Sequence, residues 1–278
     1  MNKSLFAVIA IISLTCSCGG NKTAKGDVET DSDTTVTEPT VIDTLEQLIS
    51  ETPMPKAADE LFDDFFFNFA ANKKLQMKRI TFPLPVTSGG KTTAIDKNSW
   101  KTEHFFMRQD YYTLIFNGRK QMSVVKDTSV NHVIVERISL GKKSVRQYMF
   151  DRVNGLWTMH AINDEPLSQN ANASFIDFYR HFATDTAYQV SHISDPVKFV
   201  GPDPDDEFSE MTGVLTADTW LAFAPQLPHK VIYNIIYGQP YKESNNRIFV
   251  IRGISNGLEM ELVFKRTRGK WLLTEFNQ

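Results

Sequence analysis

From residue 62 onward the apolar positions recur at two periods. Phe62, Phe65, Phe66 and Phe69 stand at i, i+3, i+4 and i+7, which is the stripe of an amphipathic helix. Phe175, Phe178, Tyr179 and Phe182 repeat that spacing 113 positions later. Further along, the period falls to two. Leu258, Met260, Leu262 and Phe264 alternate with Glu259 and Glu261, as in a half-buried strand. Asn154-Gly155, Asn256-Gly257 and Arg268-Gly269 are hairpin-turn pairs.

The same blocks recur in the same order. Residues 62–84 align with 175–197 without a gap, and FDRVNGLW from Phe150 aligns with FKRTRGKW from Phe264. YTLIF at Tyr112 parallels YNIIY at Tyr233, and VIVERIS at Val133 parallels FVIRGIS at Phe249. The pattern predicts two tandem α+β units over 56–165 and 170–278. Each has an N-terminal helix, a Pro-containing extended segment and a run of antiparallel strands, with the helix covering one face of a curved sheet.

The first 55 residues read differently. Met1–Lys3 is a short basic stretch and Leu5–Leu14 is apolar. That run is too short for a membrane-spanning helix, which needs about 20 residues, and it fits a secretory signal. Ser17-Cys18-Gly19-Gly20 resembles a lipidation site, with Cys16 after Thr15 as the alternative acceptor. Residues 1–18 are therefore expected to be a lipoprotein signal peptide. Residues 19–55 are expected to be a disordered acidic tether, since Asp27–Glu46 holds seven acidic residues and no Lys or Arg. The triplets Asp33-Thr34-Thr35, Asp43-Thr44-Leu45 and Asp185-Thr186-Ala187 look like bacterial O-glycosylation sequons.

The helix, the meander and the closing Gly-Lys-Trp hairpin resemble the nuclear transport factor 2-like (cystatin-like) cone fold. With the lipidation signal and the duplicated Phe-rich helix, the chain is similar to a family of bacterial lipoproteins of unknown function given that fold. The resemblance implies a helix-closed conical pocket in each unit. Units of this kind often pair through their sheets, so it also implies a monomer that is an intramolecular pseudo-dimer. The fold alone selects no function.

Composition narrows the chemistry. Both cysteines, Cys16 and Cys18, lie in the signal, so the globular part has no disulfide or thiolate metal site. A net charge of −3 gives no electrostatic basis for nucleic-acid binding. Phosphate-binding loops, dinucleotide fingerprints and HExxH are absent from the sequence. None of the six histidines has a histidine partner at metal-ligand spacing, and no metal or other cofactor is expected. Asp64 and Asp177 stand beside the Phe stripes, as charges favoured near a helix N-terminus. The pocket candidates are Tyr112 and Tyr233, which open matching strands; His160, whose counterpart is Thr274; Asp110 in the Asp110-Tyr111-Tyr112 run; and Trp100 and Trp220 in the middle of each unit.

The expected protein is lipid-anchored to a cell-envelope membrane, taken as the outer membrane. It is read as a non-enzymatic binding module for a small molecule or partner protein. A hydrolytic or isomerising enzyme using one cone, and a structural adaptor of an envelope complex, are the alternatives. An enzyme requires converging ionisable groups in one cavity, a binding module an open pocket, and an adaptor filled cones with an exposed apolar patch.

Overall fold

The computed structural model describes residues 47–49, 51–203, 205–238 and 243–278. The signal, Cys16, Cys18, nearly all of the tether and its two glycosylation triplets lie outside these residues. The first half of the chain runs through α1 (Phe62–Ala71), α2 (Lys73–Arg79), β1 (Leu84–Ser88), β2 (Lys91–Ile95), β3 (Tyr111–Phe116), the single turn α3 (Arg119–Met122), β4 (His132–Ser139), β5 (Ser144–Val153) and β6 (Leu156–Pro166). The second half runs through α4 (Ala173–Phe182), α5 (Thr186–Ser191), β7 (Ile193–Asp203), β8 (Asp206–Leu215), α6 (Trp220–Phe223), β9 (Val231–Tyr237), β10 (Asn246–Gly253), β11 (Glu259–Thr267) and β12 (Lys270–Asn277).

Matching residues build matching elements. The α1 stripe is buried against Phe150 and Trp157, with Phe62 centroids 5.3 and 5.0 Å from those rings. The α4 stripe does the same against Phe264 and Trp271, at 5.3 and 5.4 Å from Phe175. Such ring pairs add about 0.5–1.5 kcal/mol each beyond the area they bury. Asn72 caps α2 by accepting from the Leu75 amide, and Asp185 caps α5 by accepting from that of Tyr188, satisfying donors that a helix start leaves open. The Asp185-Thr186-Ala187 triplet is thus an exposed helix start. The turns at Asn154-Gly155 and Arg268-Gly269 have positive φ at both residues, the backbone that suits the twist of a two-residue hairpin.

Two six-stranded sheets result, ordered β2-β1-β6-β5-β4-β9 and β3-β10-β11-β12-β7-β8. Each is closed at one end by a strand from the other half. β9 pairs antiparallel with β4 from Val133↔Tyr237 to Ser139↔Val231. β3 pairs antiparallel with β10 from Gly253↔Tyr111 to Ile248↔Phe116. The equivalent segments YTLIF and YNIIY have changed places, so one strand from each side crosses the boundary at 165–170. Where they meet, the Thr113 hydroxyl donates to the Tyr233 carbonyl at 2.5 Å, and Asn234 Oδ1 accepts from the Ile115 amide at 2.9 Å.

The register corrects two alignments. Tyr233 stands opposite Arg137, but the residue opposite the equivalent Ile251 is Thr113, not Tyr112. Val133 stands opposite Phe150, but the residue opposite Phe264 is Arg247, not Phe249. A shift of two residues preserves a period-two pattern, so hydropathy cannot detect it.

Candidate functional site

Both cones are filled. Phe62, Phe65, Phe66, Phe69, Phe105, Phe106, Tyr148, Phe150 and Trp157 share one buried cluster. Phe175, Phe178, Tyr179, Phe182, Phe249, Phe264 and Trp271 share the other. The resemblance implied pockets here; in this chain aromatic rings occupy that space.

Trp100 and Trp220 belong to the same packing. The Trp100 indole N–H donates to Gln76 Oε1 at 3.1 Å and that of Trp220 to Gln189 Oε1 at 3.2 Å. The amide groups of Gln76 and Gln189 donate in turn to the carbonyls of Phe69 and Phe182, at 3.0 and 2.7 Å. Each Gln–Trp pair therefore ties the second helix of its half to the first and to the strand connection. Gln76 and Gln189 occupy identical places in the aligned repeat, so the signal was present in the sequence. Tyr233 is buried in the first cluster, and burial raises the pKa of its hydroxyl. Asp110 is exposed, one residue before β3.

A groove of about 580 Å³ lies outside the cones, where the segment Pro225–Val231 passes the start of β3. Gln109, Tyr111, Gln226, His229 and Lys230 supply amides, a phenol, an imidazole and an ammonium, over an apolar floor that includes Ala183 and Leu227. Burial, aided by Asp110, holds the Tyr111 phenol above its usual pKa, so it enters any contact as a neutral O–H. Tyr111 is the groove's one residue from the Asp110-Tyr111-Tyr112 run; Tyr112, its neighbour on the strand, points into the first core. Ala183 and Gln189 of the lining fall in the aligned repeat, and the other residues come from segments to which the sequence gives no pattern.

A second polar cluster sits where α1 meets the exchanged strand. The Tyr237 hydroxyl donates to Asp63 Oδ1 at 2.6 Å. Arg252 holds Glu259 through two bonds of 3.0 Å and reaches the Tyr112 oxygen at 3.4 Å. Burial pushes the Asp63 carboxyl from 3.8 up to about 6, against the lowering pull of Tyr237 and Arg252. The folded state therefore holds this proton more tightly than the unfolded chain does. That stabilisation is full below about pH 4 and is lost as pH rises through 6. Asp63→Asn is expected to exceed the parent in stability by about 1–3 kcal/mol above pH 7 and to match it below pH 4, read by urea unfolding across pH. A difference that does not change with pH would remove ionisation as the cause.

A third cluster joins the halves. Glu136, on β4 and 1 % exposed, accepts from Asn234, Asn170 and Gln147 at 2.9, 2.6 and 3.1 Å. Burial raises its pKa, and those three donors oppose the rise. The Asn172 amide donates to Asn170 Oδ1, and Asn172 Oδ1 accepts from buried Arg247 Nε at 2.9 Å. Asn170 thus fastens the connector between the halves to the first sheet, and Asn172 fastens it to the second.

His160 lies on the outer face of β6, away from buried Trp157 and Met159, and within 3.1 Å of Asp151. His132 lies within 2.6 Å of the same carboxylate.

Two curved antiparallel-rich sheets, each with helices over its concave face, make this an α+β protein of the NTF2-like fold. The structure is similar to that of an NTF2-like protein from Bacteroides fragilis NCTC 9343, with 42 % identity and a TM-score of 0.74, covering 81 % of this chain and 98 % of that one. Residues 41–278 match the family described as a domain of unknown function, DUF4348, and the chain belongs to that family. No curated protein matches it. No helix among the described residues is long and apolar enough to cross a membrane.

Proposed function

We propose that the chain is an exported, lipid-anchored binding protein, non-enzymatic, whose ligand occupies the groove at Tyr111 and not a cone. The observation that carries this is the pairing of filled cones with a groove of about 580 Å³, within the usual range for small-molecule sites. The phenol, amides, imidazole and ammonium suit a small molecule rich in hydroxyl or carboxylate groups. Cys18 carries the lipid in this reading, the acidic segment holds the globular part off an outer-membrane surface, and the exchanged strands make a monomer self-sufficient.

Native mass spectrometry on protein extracted gently from its own membranes tests the proposal. A reproducible small non-lipid adduct, lost in Tyr111→Ala and Lys230→Ala, is the expected result. An adduct-free acylated monomer would exclude tight constitutive binding.

One observation favours a second reading, as an adaptor. β8 is an edge strand, and Phe208 and Val214 on it are 91 % and 64 % exposed, with Leu221 and Phe223 of α6 at 50 % each. Unpaired edges with apolar side chains favour association. A protein-sized companion in the same spectra, released by Phe208→Ser with Val214→Ser, would select this reading.

A further inference from the structure

We propose that His132, Asp151 and His160 form a site for one divalent transition-metal ion of the zinc class. The three residues stand on adjacent strands β4, β5 and β6. His132 is the direct antiparallel partner of Asp151. On the other side the register of β6 slips between the partners of Met149 and Phe150, which leaves His160 as the extra residue of a β-bulge. Bulges re-aim a side chain at the expense of one ladder pairing, and here the His160 ring meets the Asp151 carboxylate.

The donor atoms are close enough to share one ion. His132 Nδ1 is 2.6 Å from Asp151 Oδ1, and His160 Nε2 is 3.1 Å from Asp151 Oδ2. All three residues offer ligand atoms within 4.8 Å of one another. The His160 Nε2 atom is buried and makes no hydrogen bond, although it lies 3.1 Å from Asp151 Oδ2. An imidazole nitrogen held beside a carboxylate without a hydrogen bond is a ready ligand. The side chains are 36–44 % exposed, so an ion can enter from solvent and keep a water in the open position, as zinc does with three protein ligands.

The donor set selects the metal class. Two imidazoles and one carboxylate suit zinc, nickel or copper, whereas calcium and magnesium take shells of oxygen. The second half carries the same bulge, at Thr274 between the partners of Val263 and Phe264. Its equivalent residues are Asn246, Lys265 and Thr274, with Asn246 paired to Lys265. An ammonium group in place of the central carboxylate excludes a cation. One ion per chain is therefore expected, in the first half only.

Calorimetric titration of the full chain, free of any affinity tag, with zinc chloride tests this directly. The expected result is one equivalent bound by the parent and by Thr274→Ala. Affinity should be lost by about 100-fold or more in Asp151→Asn and in His132→Ala with His160→Ala, since removing even an indirect support of a ligand costs about 10–100-fold. Cobalt(II) absorption should report a low-coordinate nitrogen–oxygen site in the parent and in Thr274→Ala, and not in the variants at Asp151, His132 and His160. Metal-free melting curves check that the variants fold, and His160→Gln carries the same test if Asp151→Asn does not. Absence of stoichiometric zinc binding, or binding unchanged in the variants, would overturn the site and leave a histidine–aspartate–histidine contact within the fold. Neither result bears on the groove at Tyr111, which shares none of these residues.

Discussion

Residues 56–165 produced alone are expected to give no stable monomer. The first sheet would lose β9, which pairs with β4 through seven residues, and β3 would lose β10, its neighbour in the second sheet. Tyr233, Ile235 and Tyr237, all buried in the first core, would go too. At about 1.5–3 kcal/mol for each buried side chain, the missing strand removes roughly 5–9 kcal/mol, against a whole-domain stability of about 5–15 kcal/mol. The exchange also dictates the way out. YTLIF of a second copy is the equivalent of YNIIY and can fill the vacant edge, so any folded product should be a symmetric dimer. Circular dichroism with light scattering distinguishes the outcomes, and a cooperatively melting monomer would show that the exchange is dispensable.

The second large effect is expected at Asp59→Ala. Asp59 precedes α1 and is 5 % exposed; Arg79, at the end of α2, is 8 % exposed. Their side chains form a two-bond pair at 2.8 and 2.7 Å. Asp59 Oδ1 also accepts from the Trp157 amide at 3.1 Å, and Arg79 Nη1 donates to the Trp157 carbonyl at 3.0 Å. The pair therefore bolts both helices to β6. Its net worth against apolar packing is small, but removing one partner strands a buried charge, at a cost of about 3–5 kcal/mol. For a protein of this size that corresponds to a melting temperature lower by about 6–20 °C. Asp59→Ala with Arg79→Met should recover much of the loss, because no unpaired guanidinium remains. Equal melting of the single and double variants would argue instead that the lost Trp157 contact dominates.

Some parts of this structure were legible because they are local. The stripe at Phe62, Phe65, Phe66 and Phe69 can bury its rings only as a helix. Asn154-Gly155 and Arg268-Gly269 take positive φ at both residues, which glycine makes inexpensive at the second. The ends of the two repeats align because packing positions on α1, α4 and the last hairpins admit the same aromatic side chains. The candidate site was much less legible. Nothing in Asp110-Tyr111-Tyr112 marks Tyr111 out, because strand alternation shows that neighbours diverge but not which one faces a groove. Burial perturbs the carboxylate of Asp63, and its surroundings depend on where Tyr237 of the other half arrives.

By itself, then, the sequence determined the helix stripes, the hairpins and the α+β class, and it carried the resemblance to the NTF2-like fold. The stripes, the hairpins and the class follow from side-chain periodicity and backbone preference within a few residues. Only the tertiary structure decided that β3 and β9 change places, that the cones are filled, that a groove opens beside Tyr111, and that His132, Asp151 and His160 converge. Each of those depends on register and on which edge a strand joins. A period-two pattern reads the same in either sheet and after a two-residue slip, so hydropathy carries no information about them.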